Sequence, residues 1–475
     1  MLPSGLGSCR HYLICNHGPC RITTQSPIVN AKRGLRAYGY VLTYLGCSTY
    51  RKESEDVTIS QILAPWPSNQ IFGDVIRITI LKRLDSTSRS SYIVTNHWNA
   101  LIRKLSIAMA SQKIPEKMQA AQVVEFNKPY SIHQVPVPTE LAPNDLIIKV
   151  AVASLCHTDS MVQSGIMGTS LPCTGSHEGA GTVVALGSSV QDFILGDRVM
   201  AGIIYRPCGV CADCLGPENY QQYCQFSGGY CGVTTNGFFA DYARIDATQA
   251  AKLPDKVTFE TAAPLACAGC TVYRGVVLSG VKKGEWLAIV GSGGGLGYLG
   301  VQFAKALGMN VIGVDARDEG LELTRKGGAN MAVDARKGHE NVVKEVHKVT
   351  NNEGVTCTLN VSDAEKAMAT ACAITKMHGT VIQIAQPENV AIPFRELIFR
   401  DIRVRGSLIG SPNEARDMLQ IVAEHNISVE TNAFRGLGEL EKLVHLAHSG
   451  KMKGKGIIVM TDEHVPKEKE IGAAL

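Results

Sequence analysis

The segment from Leu287 to Gly297 constrains the fold of this chain more than any other. It reads LAIVGSGGGLG, a short apolar run followed by a loop in which five of seven residues are glycine. Apolar residues then recur with helical spacing from Tyr298 to Leu307. Glycines let backbone amides approach a pyrophosphate, and the N-terminus of the following helix adds partial positive charge. The segment therefore predicts a strand, a dinucleotide-binding loop and a helix.

The loop is one residue longer than the common G-x-G-x-x-G spacing, so the prediction depends on its strand and helix context. Asp315 ends the next predicted strand, where an acidic side chain accepts hydrogen bonds from the adenosine ribose and repels the 2′-phosphate of NADP. We predict NAD as the coenzyme; Arg317 leaves NADP as the less favoured alternative, and a glycine-rich turn of an unrelated α/β protein is the alternative for the loop. The predicted coenzyme-binding residues of the loop are Gly291, Gly293, Gly294, Gly295, Leu296 and Gly297.

Strand and helix patterns alternate from Trp286 to Gly406, which predicts βαβ units and a doubly wound parallel sheet. Upstream, short β-rich runs such as 120–125 and 145–152 are separated by Pro and Asn, which predicts an antiparallel, barrel-like region. The predicted fold class is therefore α/β. No apolar run long enough for a membrane span stands out, so we expect no membrane partner.

The first part of the chain differs in charge from the rest. Residues 1–117 hold 15 Lys and Arg against 6 Asp and Glu, whereas the remainder holds 32 against 37, a net charge of −5. We therefore expect no nucleic-acid partner. Residues 1–108 stay unassigned, as a disordered extension or the product of a start codon placed ahead of Met109. Because no acidic residue precedes Glu53, mitochondrial targeting is the alternative to the predicted cytoplasmic location.

Cysteine usage indicates metal binding. The chain has 15 cysteines but opens with no apolar signal segment, which favours thiolates in a reducing compartment over a disulfide framework. Cysteines at such spacings wrap a tetrahedral zinc ion, and a closed set of four leaves no open position for chemistry. We predict a structural zinc, with Cys231 as the alternative fourth ligand and a loop of free cysteines as the alternative reading. The predicted ligands, which fall within 17 residues, are Cys208, Cys211, Cys214 and Cys224.

A second set of metal-binding candidates is dispersed over three segments ahead of the glycine loop. Cys156, His177 and Cys267 belong to it. A lone Cys or His is more often packed in a core than bound to metal. Two cysteines and one histidine are nevertheless a known ligand set for catalytic zinc, which needs three protein ligands and one open position. We therefore predict a catalytic zinc here, which makes two zinc ions per chain.

Taken together, these segments resemble the zinc-containing medium-chain alcohol dehydrogenases, in particular the yeast and other fungal forms. The resemblance extends from about Met118 to His464. It implies a GroES-like β-rich catalytic domain over 118–270, a Rossmann NAD-binding domain over 271–408 and a C-terminal return over 409–464. The motifs that carry it are Cys-His-Thr-Asp at 156–159, His-Glu-Gly-Ala-Gly at 177–181, Gly-Asp-Arg-Val at 196–199, the four-cysteine cluster and Leu-Ala-Cys-Ala-Gly-Cys-Thr-Val-Tyr at 265–273.

The resemblance also implies roles for single residues. Glu178 would lie beside the catalytic zinc, and Asp159 would orient the histidine ligand. Thr158 would hydrogen-bond the alcohol oxygen, and His157 would lie near the coenzyme phosphates. Lys455 falls where the family places a phosphate-binding Arg, and it can supply the charge without the bidentate fork. A homo-oligomer, dimer or tetramer, is expected.

Four positions depart from the family pattern. Met161 replaces the histidine that relays a proton to solvent, and Ser176 replaces a glycine, which is tolerable unless the backbone needs a positive φ. The gap between Cys214 and Cys224 is longer by two residues. Gly320 replaces a lysine that grips the adenosine ribose, which predicts looser coenzyme binding.

The predicted function is hydride transfer between a primary or secondary alcohol, or its aldehyde or ketone, and NAD. Met167 lies near the place of a bulky Trp in yeast-like enzymes, and Tyr205 is expected to replace another pocket residue. We therefore expect a small-molecule substrate larger than ethanol, in fungal specialised metabolism. The alternatives are a zinc-free quinone or enoyl reductase on the same scaffold, a zinc-ribbon nucleic-acid module and a noncatalytic relative that binds NAD.

Overall fold

The computed structural model describes residues 114–216 and 220–474. The predictions made for residues 1–108 lie outside these ranges. The strands of the described residues are β1 (Lys117–Val123), β2 (Ser131–Pro136), β3 (Asp145–Leu155), β4 (Cys173–Thr174), β5 (Glu178–Leu186), β6 (Arg198–Met200), β7 (Ile204–Tyr205), β8 (Gly229–Tyr230), β9 (Tyr242–Asp246), β10 (Ala251–Lys252), β11 (Trp286–Val290), β12 (Asn310–Asp315), β13 (Met331–Asp334), β14 (Val355–Asn360), β15 (Thr375–Gln383), β16 (Arg403–Gly406), β17 (Thr431–Arg435) and β18 (Lys455–Val459).

The helices complete the description of the same residues. Short 3₁₀ turns also occur, and a π-helical turn at Leu265–Gly269 joins the third and fourth helices. The α-helices are α1 (His157–Gln163), α2 (Ala212–Leu215), α3 (Phe259–Pro264), α4 (Cys270–Leu278), α5 (Gly295–Ala306), α6 (Asp318–Lys326), α7 (His339–Val349), α8 (Ala367–Ile374), α9 (Phe394–Ile398), α10 (Pro412–His425), α11 (Leu440–His448) and α12 (Val465–Glu470).

A mostly antiparallel sheet forms the centre of the β-rich region. Its strands run in the order β10-β6-β5-β3-β18-β17, and β9 also pairs with β3. Strand β18 pairs antiparallel with β3, with Gly456 opposite Leu155. The C-terminal part of the chain therefore returns to complete a sheet that begins far upstream. Buried aromatic and aliphatic side chains, including Phe238, Phe239 and Ile245, fill the core of this region.

The second large sheet is parallel throughout. Its order is β13-β12-β11-β14-β15-β16, which is 3-2-1-4-5-6 when the strands are counted along the chain. This is the order of doubly wound dinucleotide-binding sheets, and the order reverses between β11 and β14. The crevice at that reversal lies outside the carboxyl ends of the strands, where such sheets bind ligands. The predicted α/β class with a Rossmann parallel sheet is confirmed.

A continuous helical run from Phe259 to Leu278 packs between these regions of the chain. It begins at Thr258, whose side chain accepts a hydrogen bond from the Thr261 N–H at 3.2 Å. Pro264 lacks an N–H, and the helix widens into the π turn immediately after it. The run is long and apolar enough to cross a membrane, but most of it is buried inside the protein. It is a core helix, and it carries one of the predicted zinc ligands.

The C-terminal return continues beyond its predicted end at His464. Helix α12 packs on the β-rich region, where Glu468 accepts hydrogen bonds from Arg198 Nη2 at 2.7 Å and from the Phe259 N–H at 2.8 Å. The Glu468 carboxylate therefore binds the first turn of α3. No periodicity in this short charged segment indicated that it docks.

Candidate active site

The three dispersed zinc-ligand candidates meet in space. Cys156 lies between β3 and α1, His177 directly precedes β5, and Cys267 lies in the π turn. Together with Glu178, each offers one donor atom, and these atoms all lie within 4.8 Å of one another. Sheet pairing of β3 with β5 aligns the first two segments, and the helical run brings in the third. We call this set the Cys156–His177–Cys267 cluster.

Burial and neighbouring charges shift the pKa of each group of the cluster. A hydrogen bond with Cys267 lowers the pKa of Cys156 well below its ordinary value, with help from the Lys455 ammonium. The same contact raises the pKa of Cys267. Burial opposes a charged imidazole at His177, but the carboxylate of Asp159 and the Cys156 thiolate outweigh it and raise the pKa of His177. The cluster thus holds one thiolate beside cationic groups, which is the form in which cysteine binds metal.

The hydrogen bonding of His177 tests whether a metal ion suits this cluster. Among the described residues, neither buried ring nitrogen of His177 has a hydrogen-bond partner. Its Nδ1 lies 3.6 Å from Asp159 Oδ1, a charge contact rather than a hydrogen bond. Buried polar atoms without partners are rare in folded proteins. Two thiols and one imidazole that lacks a partner are a donor set that fits zinc.

Asp159 joins the two ligand-bearing segments through their backbones. Its Oδ2 accepts a hydrogen bond from the Cys156 N–H at 2.8 Å, and its Oδ1 accepts one from the Ser176 N–H at 3.0 Å. The side chain is fully buried. Asp159 therefore does more than face the His177 ring, because it fixes the spacing between the segments that carry two of the three ligand candidates.

Ser176 is the residue predicted to be tolerable in place of glycine unless its backbone φ is positive. Its φ is +67°, so the backbone does adopt the left-handed region there. A non-glycine residue in this region costs about 1–2 kcal/mol. The Ser176 hydroxyl donates to the Ser154 carbonyl at 2.9 Å and accepts from the Glu178 N–H at 3.3 Å. These bonds tie β3 to the start of β5 and offset the strain.

Lys455 lies beside both the cluster and the glycine loop. Its side chain is buried, and its Nζ lies 2.7 Å from Glu178 Oε2. Burial raises the pKa of Glu178 to about 7 although Lys455 acts to lower it. The Lys455 alkyl chain passes the glycine loop, since a Cβ built on Gly295 would lie 2.9 Å from Lys455 Cδ. Lys455 thus connects the loop to the cluster, and its phosphate contact stays a prediction.

The residues that follow Cys156 begin helix α1. His157 is exposed and Thr158 is half-buried, both in the first turn beside the cluster. Met161 follows one turn later and is half-buried. The roles predicted for His157 and Thr158 need a bound coenzyme and substrate, so they stay predictions.

The glycine loop has the backbone conformation that its composition predicts. Gly291 has a φ of +89°, and Gly294 precedes the first turn of α5 without any side-chain cap. A Cβ on Gly297 would lie 2.2 Å from the Gly291 carbonyl oxygen, so only glycine fits at this position. The uncapped N–H groups of α5, which include those of Leu296 and Gly297, are available to an anion.

Asp315 at the end of β12 contacts the loop directly. Its Oδ2 accepts a hydrogen bond from the Gly293 N–H at 2.9 Å, and its Oδ1 accepts one from the Arg317 N–H at 3.0 Å. Arg317 Nη2 in turn donates to the Gly293 carbonyl at 3.2 Å. A Cβ on Gly320 would lie 2.1 Å from Asp315 Oδ1. Glycine at 320 therefore has a packing reason, because a larger side chain would displace this carboxylate.

The four cysteines of the predicted structural site also come together. Their sulfur atoms lie within 4.8 Å of one another. The Cys208 and Cys214 sulfurs are 3.9 Å apart, and so are those of Cys211 and Cys224. A backbone N–H from Val210 lowers the pKa of Cys208 to about 6. Cys231 is not in the group, and burial raises its pKa to about 12. The structure thus favours Cys224 over Cys231 as the fourth member.

Tyr205 lies three residues before the first cysteine of the segment 208–216 and 220–224, which we call the four-cysteine lobe. It is buried in the β-rich core, and its hydroxyl donates to Asp145 Oδ2 at 3.2 Å. The guanidinium groups of Arg206 and Arg244 lie 4.7 Å and 5.5 Å from its ring centroid. These contacts hold the chain that leads into the lobe, and the part of Tyr205 in the substrate pocket stays a prediction.

Sequence reasoning missed how the lobe contacts the coenzyme-binding region. The Tyr220 hydroxyl accepts a hydrogen bond from Arg405 Nη2 at 3.1 Å, and the Tyr223 hydroxyl accepts one from the Leu408 N–H at 3.2 Å. Each pair is 185 residues apart in the chain. No local pattern marks such partners, since the contact depends on how the helices and sheets pack.

A cavity of about 820 Å³ opens beside α7, but its location differs from that of the cluster. His339, His347, Glu396 and Arg400 are among its lining residues. None of the predicted site residues lines it. We therefore base the functional assignment on the cluster and the glycine loop.

Comparison with known proteins gives consistent matches over both regions. Residues 142–255 match the family described as alcohol dehydrogenase GroES-like domain, and residues 295–424 match zinc-binding dehydrogenase. An alcohol dehydrogenase of Geobacillus stearothermophilus is 32% identical over 351 residues, which are 73% of this chain and 100% of that protein. Alcohol dehydrogenase 1 of Emericella nidulans is 32% identical over 353 residues, 73% of this chain and 99% of that protein. The GroES-like part of the predicted fold is confirmed.

Comparison with solved structures also finds dehydrogenases of the same fold. The alcohol dehydrogenase of the archaeon Aeropyrum pernix superposes with a TM-score of 0.65 at 28% identity, covering 72% of this chain and 99% of its own. A putative zinc-binding dehydrogenase from Sinorhizobium meliloti, solved with NADP, gives 0.64 at 27% identity, with coverage of 73% and 100%.

Proposed function

The chain belongs to the zinc-binding medium-chain alcohol dehydrogenase family, and we propose that it transfers hydride between an alcohol and NAD at the Cys156–His177–Cys267 cluster. One observation carries the proposal. Three donors from distant segments converge in a cluster, and both buried His177 ring nitrogens have no hydrogen-bond partner in the described part of the chain. A zinc-free reductase on this scaffold has no need of such a cluster.

The residues of the cluster would divide the work as follows. Cys156, His177 and Cys267 would hold zinc, which as a Lewis acid lowers the pKa of a bound hydroxyl. Asp159 holds the two ligand segments at their spacing and places its carboxylate beside His177. The neighbouring Glu178 is held by Lys455 and keeps a carboxyl group near the cluster.

The remaining predicted residues would bind and orient the reactants. Thr158 would hydrogen-bond the alcohol oxygen, and His157 would lie near the coenzyme phosphates. The pyrophosphate would lie on the loop from Gly291 to Gly297, at the N-terminus of α5. The coenzyme supplies the hydride acceptor, and the protein supplies orientation and charge.

NAD is proposed over NADP because of Asp315. Its buried carboxylate faces the loop, where a 2′-phosphate would meet a like charge. Arg317 is the counterargument, since its guanidinium lies in the same place. Comparing kcat/KM for the two coenzymes tests this choice. Preference for NADP that disappears in R317Q would overturn it.

We propose a substrate larger than ethanol on the basis of Met167 and Tyr205, which are expected to replace bulky pocket residues. Met167 packs on the apolar cluster of Val123, Val162 and Val233. An aromatic, allylic or branched alcohol from fungal specialised metabolism remains our proposal. Higher kcat/KM for benzyl or cinnamyl alcohol than for ethanol supports it, and a strong preference for ethanol contradicts it.

We propose that the chain forms a homo-oligomer through the free edge of the parallel sheet. Within the residues that the structure describes, strand β16 pairs on one side only, with β15, and its four residues are exposed. Beside it lie large exposed side chains, including Phe394, Ile398 and Phe399. The unpaired backbone groups of β16, beside these apolar side chains, offer a template for pairing with a second copy, although two of the four β16 residues are arginine. Light scattering should show a dimer or tetramer that dissociates in I398D.

The central experiment follows NADH absorbance with the purified full chain and a panel of alcohols, with and without a zinc chelator. Metal analysis should find about two zinc ions per chain, one for each cluster. Chain without zinc that still reduces quinones or enoyl substrates would support the reductase alternative. Zinc-loaded chain that binds NAD without turnover would support the noncatalytic one. We also propose a cytoplasmic location, which a fluorescent fusion of the full chain tests.

A further inference from the structure

A second cavity, with a volume of about 150 Å³, lies beside the C-terminal helix α12. It is bounded by strands β3 and β5 on one side and by α12 on the other. None of the residues predicted for the zinc sites or the coenzyme lines it. The residues used in the argument are Lys149, Arg198, Phe259, His464, Lys467 and Glu468, all of which line the cavity.

The buried basic groups of this cavity have unused hydrogen-bond donors. The Arg198 side chain is 8% exposed, and only its Nη2 is bonded, to Glu468 and to the Val257 carbonyl. Its Nε and Nη1 are buried and have no partner within 114–216 and 220–474. Over the same ranges both ring nitrogens of His464 also lack a hydrogen bond, and a Glu468 carboxylate oxygen lies 3.8 Å from its Nε2.

The acidic groups of the cavity do not balance these donors. Glu463 forms an ion pair with Lys149, and Glu468 Oε1 already accepts from Arg198 and from the Phe259 N–H. Lys467 lies on α12 at the exposed side of the cavity. The cavity therefore presents more donors than acceptors, and its surplus charge is positive.

The size of the cavity limits what can satisfy these groups. A water molecule occupies about 30 Å³ of liquid volume, so the cavity holds roughly five water-sized atoms. Buried donors without a partner destabilise the folded chain, so a ligand that accepts hydrogen bonds from them is favoured. A phosphate or a small carboxylate ion has about this number of non-hydrogen atoms. Its oxygens accept charge-assisted hydrogen bonds from cationic side chains.

We propose that this cavity is a binding site for a small oxyanion. Arg198 and His464 provide the buried donors, and Lys467 provides charge at the opening. The bound anion would join α12 to the start of α3, because Phe259 packs against both Arg198 and His464. The site is separate from the proposed hydride transfer, and its test does not depend on that activity.

The test uses the full chain with inorganic phosphate as the probe, in calorimetry and thermal unfolding, against chloride at matched ionic strength. We expect saturable binding at millimolar phosphate and a higher Tm, since a ligand that binds only the folded chain stabilises it. K467M and H464Q should each bind phosphate about threefold more weakly, the loss expected for one partly exposed charged contact. K469M is the matched control, because Lys469 is exposed on the same helix but does not line the cavity.

The outcomes separate the alternatives. The glycine loop also offers an anion site, so phosphate that binds equally well to the parent, K467M and H464Q is bound elsewhere and overturns the proposal. Absence of saturable binding overturns it as well. Acetate in place of phosphate identifies the class of oxyanion, and dependence of either ion on Lys467 and His464 supports the site. R198M is informative only if folded, and the other two variants decide without it.

Discussion

The two cysteine clusters of this protein are built in opposite ways. The four-cysteine group comes from one stretch of 17 residues, and its ligands depend on local backbone turns. The Cys156–His177–Cys267 cluster draws on three separate segments held together by sheet pairing, by Asp159 and by a core helix. The four-cysteine group assembles from the spacing of its own residues, whereas the Cys156–His177–Cys267 cluster assembles only when the whole domain folds. Their variants should therefore fail in different ways.

The largest expected effect is on activity, in the buried cluster. H177A or C267S removes one of three proposed zinc ligands, and turnover should fall on the order of a thousandfold, several kcal/mol of transition-state stabilisation. Zinc per chain should fall from about two to about one. Retention of both zinc ions and of activity in H177A would contradict the proposed site.

The corresponding change in the four-cysteine lobe should act on stability. C211S should remove the other zinc ion and lower the free energy of unfolding by about 2 kcal/mol, since loss of a metal is among the larger single-residue effects. Activity measured well below the Tm should stay within about tenfold of the parent, because the lobe offers no open metal position. Denaturant unfolding with metal analysis measures both. If C211S abolished turnover while folded, the functional division between the clusters would be wrong.

Ser176 shows how much strain the buried cluster tolerates. S176A keeps the positive φ and loses two hydrogen bonds, so it should destabilise the chain by about 2 kcal/mol. S176G loses the same bonds but relieves the strain, and it should be more stable than S176A by about 1 kcal/mol. Chemical denaturation of the two variants gives the comparison directly. Equal stability would show that the backbone at this position is not strained.

The smallest effect concerns the stem of the four-cysteine lobe. Arg206 lies two residues before Cys208, the first cysteine of the lobe. Its Nη2 donates a hydrogen bond to Asp145 Oδ2 at 2.6 Å. Burial raises the pKa of Asp145, but the hydrogen bonds and charge of Arg206 outweigh it and hold that pKa below its ordinary value. Because the Arg206 side chain is 42% exposed, R206M should cost only about 1 kcal/mol near neutral pH.

The sign of its pH dependence follows from the lowered pKa. The contribution of Asp145 is fully present above the pKa of a carboxyl group in the unfolded chain and is lost as pH falls through the lower folded value. The stability difference between the parent and R206M should therefore shrink in acid. Denaturation curves at neutral and acidic pH measure this. A difference that grows in acid would contradict the assignment.

Spacing alone predicted the features that are local. The glycine loop, the helix after it and the alternation of strands and helices are each encoded within a few consecutive residues, and the parallel sheet followed from them. The four cysteines could be grouped for the same reason. Choosing Cys224 over Cys231 needed the structure, because the six residues between them turn away into β8.

Tertiary structure alone decided the contacts made across long stretches of chain. Lys455 contacts Glu178, Arg405 donates a hydrogen bond to Tyr220, and Tyr205 donates one to Asp145. Each partner is set by sheet order and helix packing, which place side chains together regardless of their separation in sequence. The sequence by itself determined which chemical groups this protein carries and the local turns that hold them. The fold decided which of those groups meet, because burial and charge pairing depend on neighbours that no local pattern specifies.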